Sequence, residues 1–132
     1  MTLAFREAAP GDDALLTSIA RAAKAGWGYP AEWLRVWEAS LEISAAYIER
    51  GIVRIAVHDG EAVGFYALVR RDAGWLLDHF WVMPASQGQG VGRAMFEHAM
   101  ENVRALGPDG VVVIEADPNA AGFYERMGAR ER

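Results

Sequence analysis

From Ile52 to Val82 the chain passes three times through branched and aromatic residues, and turn signals separate the passes. Ile52-Val53-Arg54-Ile55-Ala56-Val57 reads as a strand, and His58-Asp59-Gly60-Glu61 carries the Asp-Gly signal of a tight hairpin. Val63 to Val69 is the return strand. Arg70-Arg71-Asp72-Ala73-Gly74 turns the chain again before Trp75 to Val82. Such a run favours an antiparallel meander. On either side the apolar period changes to that of a helix. Leu15, Leu16, Ile19, Ala22 and Ala23 mark an amphipathic helix over Asp13 to Ala25, and either Asp12 or Asp13 can cap it. A second helical pattern runs from Ala31 to about Leu41, and Leu3 to Arg6 is a short first strand. Downstream, Val91, Met95, Ala99, Val103 and Leu106 set out a long helix ended by Gly107-Pro108. Val111 to Ile114 is a buried strand, and Ala120 to Met127 a last helix closed by Gly128. The order β-α-α-β-β-β-α-β-α predicts a mixed α/β (α+β) fold with a mostly antiparallel sheet.

The 132 residues suit one domain, 1–132, and a hydrophobic share of 52% excludes a disordered chain. With no cysteine there is no disulfide framework, thiolate metal site or cysteine nucleophile. A net charge of -5 disfavours nucleic acid as a partner. Met1 to Glu7 lacks the pattern of a signal peptide, and no apolar run approaches the ~20 residues of a membrane span. A soluble cytoplasmic protein without a membrane partner is the expectation. His58, His79 and His98 show no metal-ligand spacing, so no metal is expected.

The most informative stretch joins the end of the third meander strand to the long helix. In Val82-Met83-Pro84-Ala85-Ser86-Gln87-Gly88-Gln89-Gly90-Val91-Gly92-Arg93, alternate glycines let the backbone turn tightly and present several N–H groups to a ligand. The helix start adds unpaired donors and a positive dipole end, which suits a phosphate. Gly92-Arg93-Ala94 lacks the Gly-Lys-Ser/Thr of a P-loop. Gly88, Gly90 and Gly92 also miss the G-x-G-x-x-G spacing of a dinucleotide fold, although Glu115 mimics its ribose-binding acid.

Gln87-x-x-Gly90-x-Gly92 after Val82-x-Pro84 resembles instead the acetyl-CoA pyrophosphate loop of the GNAT superfamily of N-acetyltransferases. The later stretch Asp117 to Ala129, with Asn119, Phe123-Tyr124-Glu125 and Gly128, resembles that family's second motif, in the right order. The resemblance implies acetyl-CoA as co-substrate and direct transfer of acetyl to an amine of a small molecule or peptide. A non-catalytic acyl-CoA-binding module of the same fold is the alternative. A small nucleotide-binding oxidoreductase domain is a more distant rival.

The resemblance also assigns roles. Val82 and Met83 would pair with the pantetheine arm, and the Val82 N–H would polarise the thioester carbonyl. Gln87, Gly88, Gln89, Gly90, Gly92 and Arg93 would surround the pyrophosphate, and Asn119 would reach the pantetheine or acetyl end. Asn119 lies four residues before Phe123, where six is commoner in the family; Asp117 is the other candidate there. Attack by an amine needs a proton acceptor, because an alkyl ammonium holds its proton to about pH 10.4. Asp78 and His79 are the candidates. A regular strand would put Asp78 on the face of Phe80 and Val82 and His79 on the other, unless a bulge shifts the register. Tyr124 matches the family tyrosine that assists the departing thiolate. Trp27 and Tyr29, between the first two helices, would wall the acceptor side. The family usually continues past the last helix into further strands, so an uncovered sheet edge, and a homodimer through it, is a further expectation.

Overall fold

The computed structural model describes residues 2–72, 74–107, 111–115 and 120–130. The meander forms where the turn signals require it. Asp59 and Gly60 sit at φ 50 and 80, the left-handed pair that a two-residue hairpin needs. β1 (Ala4–Glu7), β2 (Ile52–His58), β3 (Glu61–Arg71) and β4 (Gly74–Val82) pair antiparallel in that order. β5 (Val112–Ile114) joins β4 in parallel and forms one edge of the described five-stranded sheet.

Helices cover both faces. α1 (Asp13–Ala25), α2 (Ala31–Trp37) and α3 (Ala45–Arg50) lie on one side, where Leu16, Ile19 and Ile48 pack against Val53, Ile55, Phe65 and Ala67. α4 (Val91–Leu106) and α5 (Ala121–Arg126) lie on the other, where Val91, Met95, Ala99 and Val103 meet Ala56, Tyr66, Leu68 and Leu77. β3 is buried on both faces, which explains why its sequence is apolar without alternation. Each large side chain buried there is worth roughly 1.5–3 kcal/mol. The polar end of Tyr66 is satisfied: Asn102 donates to its oxygen at 2.5 Å, and the hydroxyl meets His98 Nδ1 at 2.7 Å. Phe5 stacks on the same ring at 4.0 Å, so His98 is part of the packing between β1, β3 and α4.

Three expectations are corrected. Neither Asp12 nor Asp13 caps α1 with its side chain. The Asp12 carboxylate instead accepts from the Ala9 N–H at 2.8 Å and from the Arg6 guanidinium, which closes the short turn Pro10–Asp12. The guanidinium holds that carboxyl below the usual carboxylate range. The second helical pattern stops at Trp37, not Leu41. Ser40 donates its hydroxyl to the Trp37 carbonyl at 2.8 Å, and Ala39–Leu41 tightens into a single 3-10 turn. Finally, α3 was absent from the predicted order. Ser44 caps it by accepting the Tyr47 N–H at 3.1 Å, and Gly51 ends it.

Candidate active site

β4 pairs with β5 only along Trp75–Leu77, against Val112–Ile114. Beyond Leu77 no described strand lies on that side of β4, and a cleft of about 1050 Å³ opens. One wall holds Ala23 and Lys24 from α1, Trp27 from the turn after it and Trp37 from α2; the opposite wall holds Gly122, Phe123 and Tyr124 from α5. Gln87, Gly88, Gly90, Gly92 and Arg93 close one end.

The β4 edge itself is polar. Met83 N–H donates to Val63 O at 2.8 Å, and alternate residues of an antiparallel pair turn their polar groups to opposite sides. The Val82 N–H and C=O therefore face away from β3, toward the cleft. Gln87 reaches back to the Val82 carbonyl at 3.5 Å and leaves the N–H available.

The loop after β4 carries the second set of donors. Gly88 and Gly90 sit at φ 78 and 83, where a side chain is strained, and open space surrounds both. No described main-chain carbonyl engages the N–H groups from Gly88 to Arg93, and Gly90 is the N-cap of the 16-residue α4. This is a donor cradle suited to an anion. Gly92 has a different reason: a Cβ there would stand 3.3 Å from the Phe123 ring, so its smallness lets α5 dock on α4. Arg93 lies along the helix against Glu97 at 3.2 Å.

A bulge decides the geometry of the two base candidates. Ala67 pairs with His79 and Leu68 with Leu77, so Asp78 is an extra residue on β4. Downstream, Phe80 and Val82 face α4 while His79 and Trp81 face α1 and α3. Asp78 does not share the face of Phe80 and Val82, as a regular strand would have it. It turns to the α3 side, where Tyr47 donates its hydroxyl to Oδ2 at 2.5 Å. His79 is 9% exposed, and its Nδ1 accepts the Trp81 indole N–H at 2.9 Å. Burial pushes the His79 ring below the ordinary histidine value, against a smaller opposing pull from Asp78.

Tyr124 packs in an aromatic cluster with Phe80, Phe96 and Phe123 and lines the cleft from the α5 side. Burial raises its phenol above the usual tyrosine range, so it stays protonated. Trp27 lines the cleft, but Tyr29 is not among the lining residues. Its ring packs edge-on to Trp37 at 4.9 Å, with the Lys24 ammonium 4.4 Å over the Trp37 ring. Asn119 and Asp117 fall outside the described residues. Trp37, expected with Trp33 to extend the acceptor wall, lines the cleft, and Trp33 does not. Sequence reasoning missed Tyr47 as a site residue; Ser44 and Gly51, spaced to bracket a short helix, were the available signal.

A family model for the acetyltransferase (GNAT) domain matches residues 49–128, from the end of α3 to the residue after the last helix turn. The chain belongs to the GNAT acetyltransferase family. Among curated relatives, the peptidyl-lysine N-acetyltransferase YjaB of Salmonella typhimurium is 32% identical over 88 residues, which cover 66% of this chain and 56% of the relative. The aligned stretch thus spans little more than half of that protein. The GNAT fold is shared with PaiA N-acetyltransferase of Thermoplasma acidophilum, solved with coenzyme A (TM-score 0.83, 17% identity, covering 100% of this chain and 92% of that one). It is shared too with a GNAT family acetyltransferase of Brucella melitensis, solved with acetyl-CoA (TM-score 0.69, 22% identity, covering 98% and 84%). Among the described residues no group of His, Asp and Glu is arranged to hold a metal ion, and no helix is long and apolar enough to cross a membrane.

Two histidines of this GNAT domain, His79 buried and His98 half-buried, make its stability depend on pH. Burial lowers both His79 and His98. The unfolded chain therefore takes up protons at these rings near pH ~6.5 while the native chain does not. Native stability is complete above that value and declines as the pH falls below it. We expect the Tm to drop between about pH 7 and pH 5, measured by differential scanning calorimetry; a flat or rising Tm over that window would contradict it.

Proposed function

We propose that this GNAT domain transfers the acetyl group of acetyl-CoA directly to an amine of a small molecule or peptide, in a complex of both substrates. The observation that carries the reading is the single cleft in which an open strand edge, a loop of free N–H donors and a carboxylate meet. Acetyl-CoA supplies the activated acyl group. The donors from Gly88 to Arg93 bind its pyrophosphate, and the β4 edge at Val82 orients the pantetheine arm. The Val82 N–H polarises the thioester carbonyl. Asp78 takes the proton from the amine nitrogen, and the protonated Tyr124 hydroxyl donates a hydrogen bond to the departing sulfur. Trp27, Trp37 and Lys24 form the acceptor wall. The curated relative, a peptidyl-lysine N-acetyltransferase, supports a lysine side chain as one acceptor.

The reading is tested by CoA thiol release from acetyl-CoA across a panel of amines and lysine peptides. At least one amine should raise release well above background hydrolysis. Binding of acetyl-CoA with no amine-dependent release would replace this reading with that of an acyl-CoA-binding module.

A further inference from the structure

We propose that Tyr47 is a positioning residue for Asp78, and that Trp81, acting through His79, leaves Asp78 as the one proton acceptor of the pair. The inference rests on the acetyl-transfer reading for the step it serves, and on three side-chain contacts for the arrangement itself.

The Tyr47 hydroxyl donates to Asp78 Oδ2 at 2.5 Å, reaching across from α3 to the bulge. A bulged residue has no ladder partner opposite it, so its side chain needs another anchor. Tyr47 supplies one, and its donated bond holds Oδ2 on the α3 side. Oδ1 has no described partner and is left for the incoming amine. His79 stands beside the same carboxylate, with Nε2 3.9 Å from Oδ2. Its other nitrogen accepts the Trp81 indole N–H at 2.9 Å. Indole nitrogen only donates, so Nδ1 must be unprotonated and the neutral ring carries its proton on Nε2. Both nitrogens are thereby occupied: one by an incoming hydrogen bond, the other by its own proton. A second proton would have to displace the Trp81 bond inside a buried site.

In the step itself, the acceptor ammonium gives one N–H proton to Asp78 Oδ1, and the nitrogen bonds to the acyl carbon with the electron pair so freed. The C–S pair leaves on sulfur, and the second proton lost by the nitrogen passes to that thiolate. Other charges share the surroundings. Arg71 of β3 lies within electrostatic range of Asp78 and is paired with Glu115 beyond β5; Arg50 of α3 lies near Tyr47, and Lys24 of α1 lines the same cleft.

Two variants of the full chain and one measurement on the parent test the arrangement. Nitrogen-15 NMR of the parent should place the His79 proton on Nε2; a proton on Nδ1 overturns the Trp81 arm. Trp81→Phe should raise the pH at which His79 titrates, and an unchanged titration counts against the arm as well. In Tyr47→Phe, the Asp78 side-chain carbon resonance should move as the carboxylate loses its hydroxyl partner; an unmoved resonance overturns the Tyr47 arm. With an active amine, Tyr47→Phe should lower kcat about tenfold, the scale of one hydrogen bond to a charged group, with KM for acetyl-CoA unchanged. A parent chain inert toward every amine sinks the acetyl-transfer reading, whereas an unmoved Asp78 resonance sinks this one.

Discussion

Asp78→Asn is expected to lower amine-dependent CoA release by about two to four orders of magnitude, the usual worth of a positioned general base. The substitution is nearly isosteric. The asparagine carbonyl can still accept the Tyr47 hydroxyl, so the bulge and α3 keep their contact. What disappears is the capacity to take a proton. The donor half proposed for acetyl-CoA uses main-chain N–H groups of β4 and the loop after it, and these do not touch Asp78. Acetyl-CoA affinity should therefore hold within about twofold by calorimetry while kcat collapses. His79 does not rescue the variant, because its Nδ1 is held by Trp81. A loss of less than about threefold would show that the amine reaches the cleft already deprotonated or passes its proton to water.

Gly64→Ala is expected to damage the fold and the candidate site together. A Cβ at this position would lie 2.6 Å from the Trp81 carbonyl oxygen and 2.8 Å from the Met95 sulfur. The sulfur belongs to a flexible side chain, but the carbonyl is part of a paired strand and cannot swing aside. Either β4 moves away from β3 or α4 lifts from the sheet. Overpacking of this kind costs about 1–3 kcal/mol, which corresponds to a Tm lower by roughly 3–10 °C in a domain of this size. The displaced segment is Trp81–Val82, the edge assigned to the pantetheine arm, so acetyl-CoA affinity should fall with the Tm. A melting curve and a CoA titration on one sample check both. A Tm within about 1 °C of the parent would overturn this account of the β3–β4 contact.

Much of the fold is legible because its signals are local. The Asp59-Gly60 turn sets the β2–β3 hairpin, and the apolar period from Val91 to Val103 sets α4 within its observed bounds. The cradle was legible for the same reason: Gly88 and Gly90 occupy positions whose backbone angles only glycine adopts readily. α3 was missed because six residues give too little periodicity, and its cap residues carry the signal instead. The facing of Asp78 could not be read, because a bulge depends on the partner strand. Nothing in Leu77-Asp78-His79 announces that Ala67 and Leu68 will skip one residue between them. Tyr47 is 31 residues away from Asp78 along the chain, and only the packing of α3 against the sheet brings the two together.

The skipped residue has a further consequence. Ala67 opposite His79 and Leu68 opposite Leu77 would remain adjacent, in unbroken alternation, in a chain without Asp78. The sheet is therefore complete without the one side chain assigned to the proton. In the role proposed for Asp78, fold and activity would be separable by a single codon: a chain that lost this residue would keep its sheet and the proposed ligand cradle while losing the proton acceptor.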